Sequence, residues 1–136
     1  MAFRCINSSK LRTVPVAVAS ATVIPAGDFA GMTAGLAVDA NATTAQIAWC
    51  PNGSADGETT CYLSTADSDI ILEGTADAVF AVSYKNTEVD LTAAQLIDVG
   101  ESTYDVLIVD GSTSAGTVGS TDNVRVHINP VKRLAL

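Results

Sequence analysis

The sequence predicts a mainly β protein, a small single-domain β-barrel or β-sandwich with one short helix and an extended N-terminal arm. Short apolar runs recur between clusters of turn-forming residues, which is typical of all-β domains. The length of 136 residues fits one domain. Apolar residues make up 48% and charged residues 16%, so the chain can bury a core instead of remaining disordered. We therefore divide the chain into an arm over residues 1–12 and a β-rich domain over 13–136.

The first predicted strand opens the β-rich domain. Val14, Val16 and Val18 alternate with other residues and would share one face of a strand. Pro15 has no backbone N–H to donate, which favours an edge position in the sheet. A turn is predicted at residues 24–28, where Pro and Gly follow each other closely. Further short strands are predicted at residues 45–50, 60–63, 69–73 and 79–84, with a hairpin loop between the first two.

The one predicted helix covers residues 91–98. Asp90 and Thr92 are candidates for the N-cap, and Gln95 stands three residues after Thr92, as a capping box requires. Gly100 supplies a stop signal. A helix of two to three turns is long enough to cover one side of a sheet but too short to organise the fold.

Two strands and a long connection are predicted after this helix. The continuous apolar run within residues 104–110 predicts the most core-like strand, and the alternation over 124–128 predicts another. Between them, residues 111–123 are rich in Gly, Ser and Thr, with Val118 as the one large apolar side chain. A connection of this length predicts a segment that is either mobile or ordered by a partner.

Charge is distributed unevenly along the chain. The formal net charge is −8, yet all bases except Lys85 lie in residues 1–12 and 125–136, and all fifteen acids lie between Asp28 and Asp122. The two ends therefore carry +6 and the body carries 1 − 15 = −14. Such ends can fold back on their own domain, contact an acidic neighbour or bind a separate partner. Chance scatter among few bases is the plain alternative, and we favour an assembling protein, because oppositely charged surfaces promote self-association.

Several classes of function are disfavoured by composition and motifs. The single histidine, His127, has no accompanying nucleophile motif, so we expect no enzyme. Ten residues separate Cys50 from Cys61 and no CxxC pair occurs, so we expect no metal and no cofactor. A cross-strand disulfide between them remains geometrically allowed, although free thiols are favoured. The acidic balance argues against nucleic acid as a partner, and the short apolar runs argue against a membrane span, so a soluble protein that folds in a cytosol is expected.

The first half of the chain resembles the tailed-phage head decoration (capsid cement) proteins. The resemblance runs from a Val/Ala strand over residues 14–19, through the turn over 24–28, to the strands over 35–40 and 45–49. It implies a small β-rich, β-tulip-like domain, often a trimer, that binds the outer surface of an assembled head and bridges neighbouring copies of the major capsid protein. The localisation would be the virion, after synthesis in the host cytoplasm. The alternatives are another phage part, such as a tail-tube, neck or head-fibre protein, or a small surface- or carbohydrate-binding β-sandwich.

Candidate interaction residues lie in the two basic ends. The few apolar side chains of the arm are expected to fill a shallow groove on an acidic neighbour, and the basic side chains to contact its surface. The predicted interaction residues are Phe3, Arg4, Ile6, Lys10, Arg12, Lys132 and Arg133.

Overall fold

Residues 2–136 are described by a computed structural model, in which they form eleven β-strands and three 3₁₀ helices. The 3₁₀ helices are short and cover Ser8–Lys10, Val82–Tyr84 and Pro130–Lys132. The strands are β1 (Arg4–Cys5), β2 (Thr13–Ala17), β3 (Phe29–Thr33), β4 (Leu36–Asp39), β5 (Ala48–Trp49), β6 (Thr60–Ser64), β7 (Ile71–Ala76), β8 (Glu88–Ala93), β9 (Leu96–Asp98), β10 (Leu107–Val109) and β11 (Val124–Ile128).

Five of these strands close into a barrel. The strands β7, β11, β10, β8 and β9 are hydrogen-bonded in this order, and β9 pairs back with β7. The closing pair is parallel, with Thr75 opposite Leu96, whereas the other pairs are antiparallel. On the edge of β7 that does not face β11, β1 pairs with residues 72–73 and β9 with residues 75–76. Closure therefore leaves these strands no open edges. The predicted mainly β, single-domain class with a small barrel is therefore confirmed.

The alternation of β11 divides its side chains between the barrel core and the outer face. Val124, Val126 and Ile128 are buried, and Arg125 and His127 between them point outward. Successive side chains of a strand point to opposite faces, so the apolar set must turn inward together. The period-two pattern predicted at residues 124–128 therefore places the apolar side chains of this strand in the barrel core.

A second apolar core lies beside the barrel. Strands β2 and β6 form an antiparallel ribbon, and β4, β3 and β5 form a three-stranded sheet. A bridge between Val18 and Ala37 joins the ribbon to the sheet, and the amide of Phe29 donates to Ala94 O of the barrel. The residues buried in this core are Val16, Val18, Ile24, Ala30, Ala37, Ala48, Cys50, Cys61, Leu63 and Leu134.

The helix predicted over residues 91–98 is wrong, because the segment is a β-hairpin. Strands β8 and β9 pair antiparallel with Leu91 opposite Ile97, and a tight turn at Ala94 and Gln95 joins them. A helix this short gains little stability in isolation, whereas the hairpin buries both apolar side chains in the barrel. Pairing of β8 with β10 and of β9 with β7 also closes the barrel. Tertiary pairing outweighs the capping signals.

Two other local predictions differ from the structure. The predicted strand at 79–84 is a loop followed by the 3₁₀ helix, because its buried aromatic, Phe80, contacts another loop instead of a neighbouring strand. The predicted hairpin between Cys50 and Cys61 does not form either. Strand β5 pairs with β3, and β6 pairs with β2. Cys50, directly after β5, and Cys61, in β6, therefore reach the second core from two different sheets.

The tract over residues 111–123 is ordered by its own chain. Ala115 is fully buried, and its carbonyl accepts from the amide of Arg125 at 2.8 Å. Ser120 O accepts from the amide of Phe80, and Thr121 O from that of Ala76, each at 2.8 Å. The tract therefore needs no partner for its order, contrary to both predicted alternatives.

Candidate interaction surface

The two basic ends of the chain converge on one loop, residues 65–69, at one end of the barrel. The side chain of Asn7 donates to Asp69 O at 3.0 Å, and the amide of Arg12 donates to Ser68 Oγ at 2.9 Å. From the other end, the Arg133 guanidinium donates to a carbonyl of the same loop at 3.0 Å. Of the alternatives predicted for the basic ends, folding back on their own domain is the one observed.

Phe3 lies in the core of its own barrel. It is 3% exposed, and its ring lies against that of Phe29 with centroids 4.5 Å apart. Gly74 makes room for this ring, since a Cβ there would lie 2.5 Å from it. The expectation that Phe3 fills a groove on a neighbour is therefore corrected, because the groove lies between strands of the same domain. Ile6 is half-buried, and its amide donates to Ile71 O.

Arg4 belongs to an ion-pair ladder on the outside of the barrel. It stands directly opposite Glu73, which in turn stands opposite Arg125, across three neighbouring strands. Arg4 Nε is 3.0 Å from Glu73 Oε1, and Arg125 Nε is 3.0 Å from Glu73 Oε2. Burial by itself would raise the pKa of Glu73, but the two guanidinium groups outweigh it and hold this pKa below its usual range. The segment predicted as an extended arm is thus attached to the domain by charge as well as by Phe3.

His127 extends the ladder by one more pair. Its Nε2 lies 3.1 Å from Asp110 Oδ1. Burial opposes ionisation of Asp110, but hydrogen bonds from Ser112 and His127 prevail and lower its pKa. Among residues 2–136 there is no group of three or more His, Cys, Asp and Glu side chains placed to hold a metal ion.

The remaining predicted interaction residues divide into anchored and exposed side chains. Arg133 is anchored, with its side chain 11% exposed and in contact with Asp69 at 3.4 Å. Lys10 and Arg12 are exposed, Lys132 is half-buried, and none of these three forms an ion pair within the described chain. Val131, next to Lys132, is 76% exposed. We call Lys10, Arg12, Val131 and Lys132 the terminal surface.

A second exposed surface was missed by the sequence predictions. Val79, Val82 and Val118 are 54%, 61% and 65% exposed. They lie on two loops joined by hydrogen bonds, since the amide of Phe80 donates to Ser120 O at 2.8 Å and that of Gly119 to Phe80 O at 3.0 Å. We call these three residues the valine surface. A signal was present, because residues 78–84 and 111–121 contain no charged residue, in a chain with 22 of them.

A pair of carboxyl groups is buried between the second core and the barrel. Asp28 is 1% exposed, and Oδ1 of both Asp28 and Asp39 is buried without a hydrogen-bond donor among residues 2–136. Burial and then the neighbouring charge of Asp28 raise the pKa of Asp39 to about 7. Burial also raises the pKa of Asp28, and the hydrogen bond with Asp39 offsets part of that rise. The pair is accommodated best with one proton, which lets one carboxyl donate to the other.

Cys50 and Cys61 are adjacent free thiols in the second core. They are 0% and 2% exposed. Burial, followed by the neighbouring Cys61, raises the pKa of Cys50 to about 12. Because the thiolate is the reactive form, this pair is chemically inert in the folded protein.

Two open grooves lie on the surface of the described chain. One, of about 430 Å³, lies between the β3–β4 hairpin and residues 41–46. The other, of about 580 Å³, is lined by Tyr84 and by residues 86–88 and 99–102, which include Glu88 and Glu101. Neither lining contains a His, Cys or Lys side chain.

Within residues 2–136, no helix combines the length and the apolar character that a membrane-spanning helix needs. Comparisons of the chain with protein-family models, with curated proteins and with solved structures each found no match.

Proposed function

We propose that this chain is a structural protein of a tailed-phage virion. It binds the outer surface of the assembled head and stabilises it by bridging neighbouring copies of the major capsid protein. The observation that carries the proposal is the terminal surface, where both chain ends place cations that form no ion pair within residues 2–136 on one end of an acidic domain. The resemblance of residues 14–49 to head decoration proteins supports the same assignment.

The terminal surface has the chemistry of a docking site for an acidic shell. Lys10, Arg12 and Lys132 supply positive charge, and Val131 supplies exposed apolar area. Complementary charge accelerates encounter and selects the partner, and apolar burial adds affinity. Because exposed charges are screened over about 8–10 Å at physiological ionic strength, this binding should weaken as salt is added.

Stabilisation would follow from mass action. A protein that binds only the assembled lattice lowers the free energy of that lattice relative to free subunits. In the proposal the chain acts as a homo-oligomer, with a trimer as the expected form, so that several weak contacts add through effective concentration. No catalytic step and no cofactor enters this mechanism.

Sedimentation with undecorated heads of the phage that encodes the chain tests this proposal. The purified protein should co-sediment with expanded heads and saturate. The variant Lys10→Gln/Arg12→Gln/Lys132→Gln should bind at least about tenfold more weakly, since it loses three charged contacts.

A matched control separates the terminal surface from net charge. Asn52→Asp/Thr59→Glu/Gln95→Glu changes the net charge by the same −3 at exposed positions away from the chain ends. It should bind nearly as well as the parent protein. Failure of the parent protein to co-sediment would overturn the proposed function, and equal loss in both variants would overturn the role of the terminal surface.

A further inference from the structure

The valine surface concentrates exposed apolar area at the barrel end that carries loops 77–86 and 110–123. Val79 directly precedes Phe80, and Val82 follows it by two positions. The loop of Val118 accepts a hydrogen bond from the amide of Phe80 and donates one to its carbonyl. Of the seven large apolar side chains exposed in residues 2–136, three belong to this surface. Single exposed apolar residues are ordinary, whereas a cluster marks a contact surface.

The surroundings of the valine surface have the composition of an interface centre. The two chain segments that form it, residues 78–84 and 111–121, contain 18 residues and no charge. Depletion of charge at the centre, with charged residues at the rim, distinguishes protein interfaces from ordinary surface. In a chain whose net charge is −8, two copies can approach with the least repulsion where these uncharged segments meet.

Four charged residues bound the two uncharged segments, namely Asp77, Lys85, Asp110 and Asp122. Asp110 is paired with His127, and Asp77 accepts hydrogen bonds from Thr92 and from the amide of Val99. Lys85 directly follows the first uncharged segment, and Asp122 directly follows the second. Lys85 is also the one base between residues 13 and 124. Neither residue forms an ion pair within the part of the chain that is described. A surface with an apolar centre and both signs at its rim is complementary to itself.

We propose that the valine surface binds a second copy of this chain, with Lys85 of one copy facing Asp122 of the other. The self-complementary rim favours a second copy over a capsid protein as the occupant of this surface. The inference rests on the proposed function only for the use of the oligomer, since the valine surface would form the oligomer that binds the head. It concerns association in solution, without heads.

Sedimentation velocity of the full chain over a wide range of concentration tests the inference. The parent protein should sediment as an assembly larger than the monomer. Val82→Asp/Val118→Asp should weaken association by at least about tenfold, because two apolar contacts become two buried charges. Its thermal melt should stay close to that of the parent protein, since both side chains are exposed in one copy. The control Val23→Asp/Leu36→Asp, at two exposed apolar side chains outside both named surfaces, should assemble normally.

A charge exchange tests the rim. Lys85→Glu should weaken association, and Lys85→Glu/Asp122→Lys should restore it, because the exchange re-creates the pair with its signs reversed. A parent protein that stays monomeric at every concentration would overturn the inference, as would a Val82→Asp/Val118→Asp variant that assembles like the parent. If that variant instead loses only head binding, the surface belongs to the capsid contact and the inference is wrong, while the proposed function stands.

Discussion

The ring of Phe3 lies against the ring of Phe29, with centroids 4.5 Å apart and planes inclined at 54°. This contact joins the N-terminal segment to the strand that links the barrel with the second core. It explains why the residues before β2 follow the domain surface instead of leaving it. Aromatic pairs of this inclined geometry contribute about 0.5–1.5 kcal/mol beyond the area they bury.

Phe3→Ala should lower the free energy of unfolding by about 3–5 kcal/mol, because it opens a cavity in the barrel core. Chemical denaturation followed by tryptophan fluorescence measures this, since Trp49 is buried in the same core. Ile6→Ala is the comparison within the same segment and should cost less, because Ile6 is only half-buried. A Phe3→Ala protein as stable as the parent would mean that the segment docks elsewhere.

Gly74→Ala should also destabilise the protein, by about 1–3 kcal/mol, because the new Cβ overlaps the Phe3 ring. The cost should largely disappear in Phe3→Ala/Gly74→Ala, where the ring is absent. A double-mutant cycle from denaturation curves measures this coupling. Additive effects of the two substitutions would contradict the contact.

Glu73→Gln should lower stability at pH 7 by about 2 kcal/mol, because two arginines lose a charged acceptor. The folded-state pKa of Glu73 lies below its usual range, so its contribution is present above the unfolded pKa, about 4.3, and is lost as the pH falls through the folded value. The free energies of unfolding of the parent protein and of Glu73→Gln, measured by denaturation, should therefore converge as the pH falls. A constant difference between them down to the folded pKa and below would rule out this linkage.

Asp39→Asn should have the opposite dependence on pH. The folded-state pKa of Asp39 is raised to about 7, so the folded protein retains a proton that the unfolded chain releases. Its contribution to stability therefore declines as the pH rises from about 4, the unfolded pKa, towards 7. The free energy of unfolding of Asp39→Asn minus that of the parent protein should therefore be larger at pH 8 than at pH 5. For the control Asp56→Asn, at an exposed loop position, the difference from the parent protein in free energy of unfolding should be the same at both pH values.

The three thiols should differ in their rates of alkylation. Cys5 is half-buried, whereas Cys50 and Cys61 are enclosed and burial raises the pKa of Cys50 to about 12. Iodoacetamide at neutral pH should therefore modify Cys5 first and reach the other two only after unfolding. Peptide mass spectrometry of the native protein reads this out. Modification of Cys50 as fast as Cys5 would show that the second core opens readily.

The β class and the strands that fill the barrel were predictable from local pattern. The alternation at Val124, Val126 and Ile128 places apolar side chains on one face whatever the partner strand is. The continuous apolar run that contains Leu107 and Val109 predicted a core strand, and both side chains are fully buried in β10. The exposed cations Lys10 and Arg12 were predictable too, because few apolar neighbours accompany them in the sequence.

Tertiary structure decided the features that depend on contacts between distant residues. Residues 91–98 carry helix-capping signals, yet they form a hairpin because Leu96 pairs with Thr75 of β7 and closes the barrel. Arg4 meets Glu73 across 69 positions of sequence, so an apparently free basic arm is held by a carboxylate that no local pattern could connect to it. The physical reason is the same in both cases. A side chain's polarity determines whether it favours burial, whereas the chain's long-range pairing determines which partner covers it.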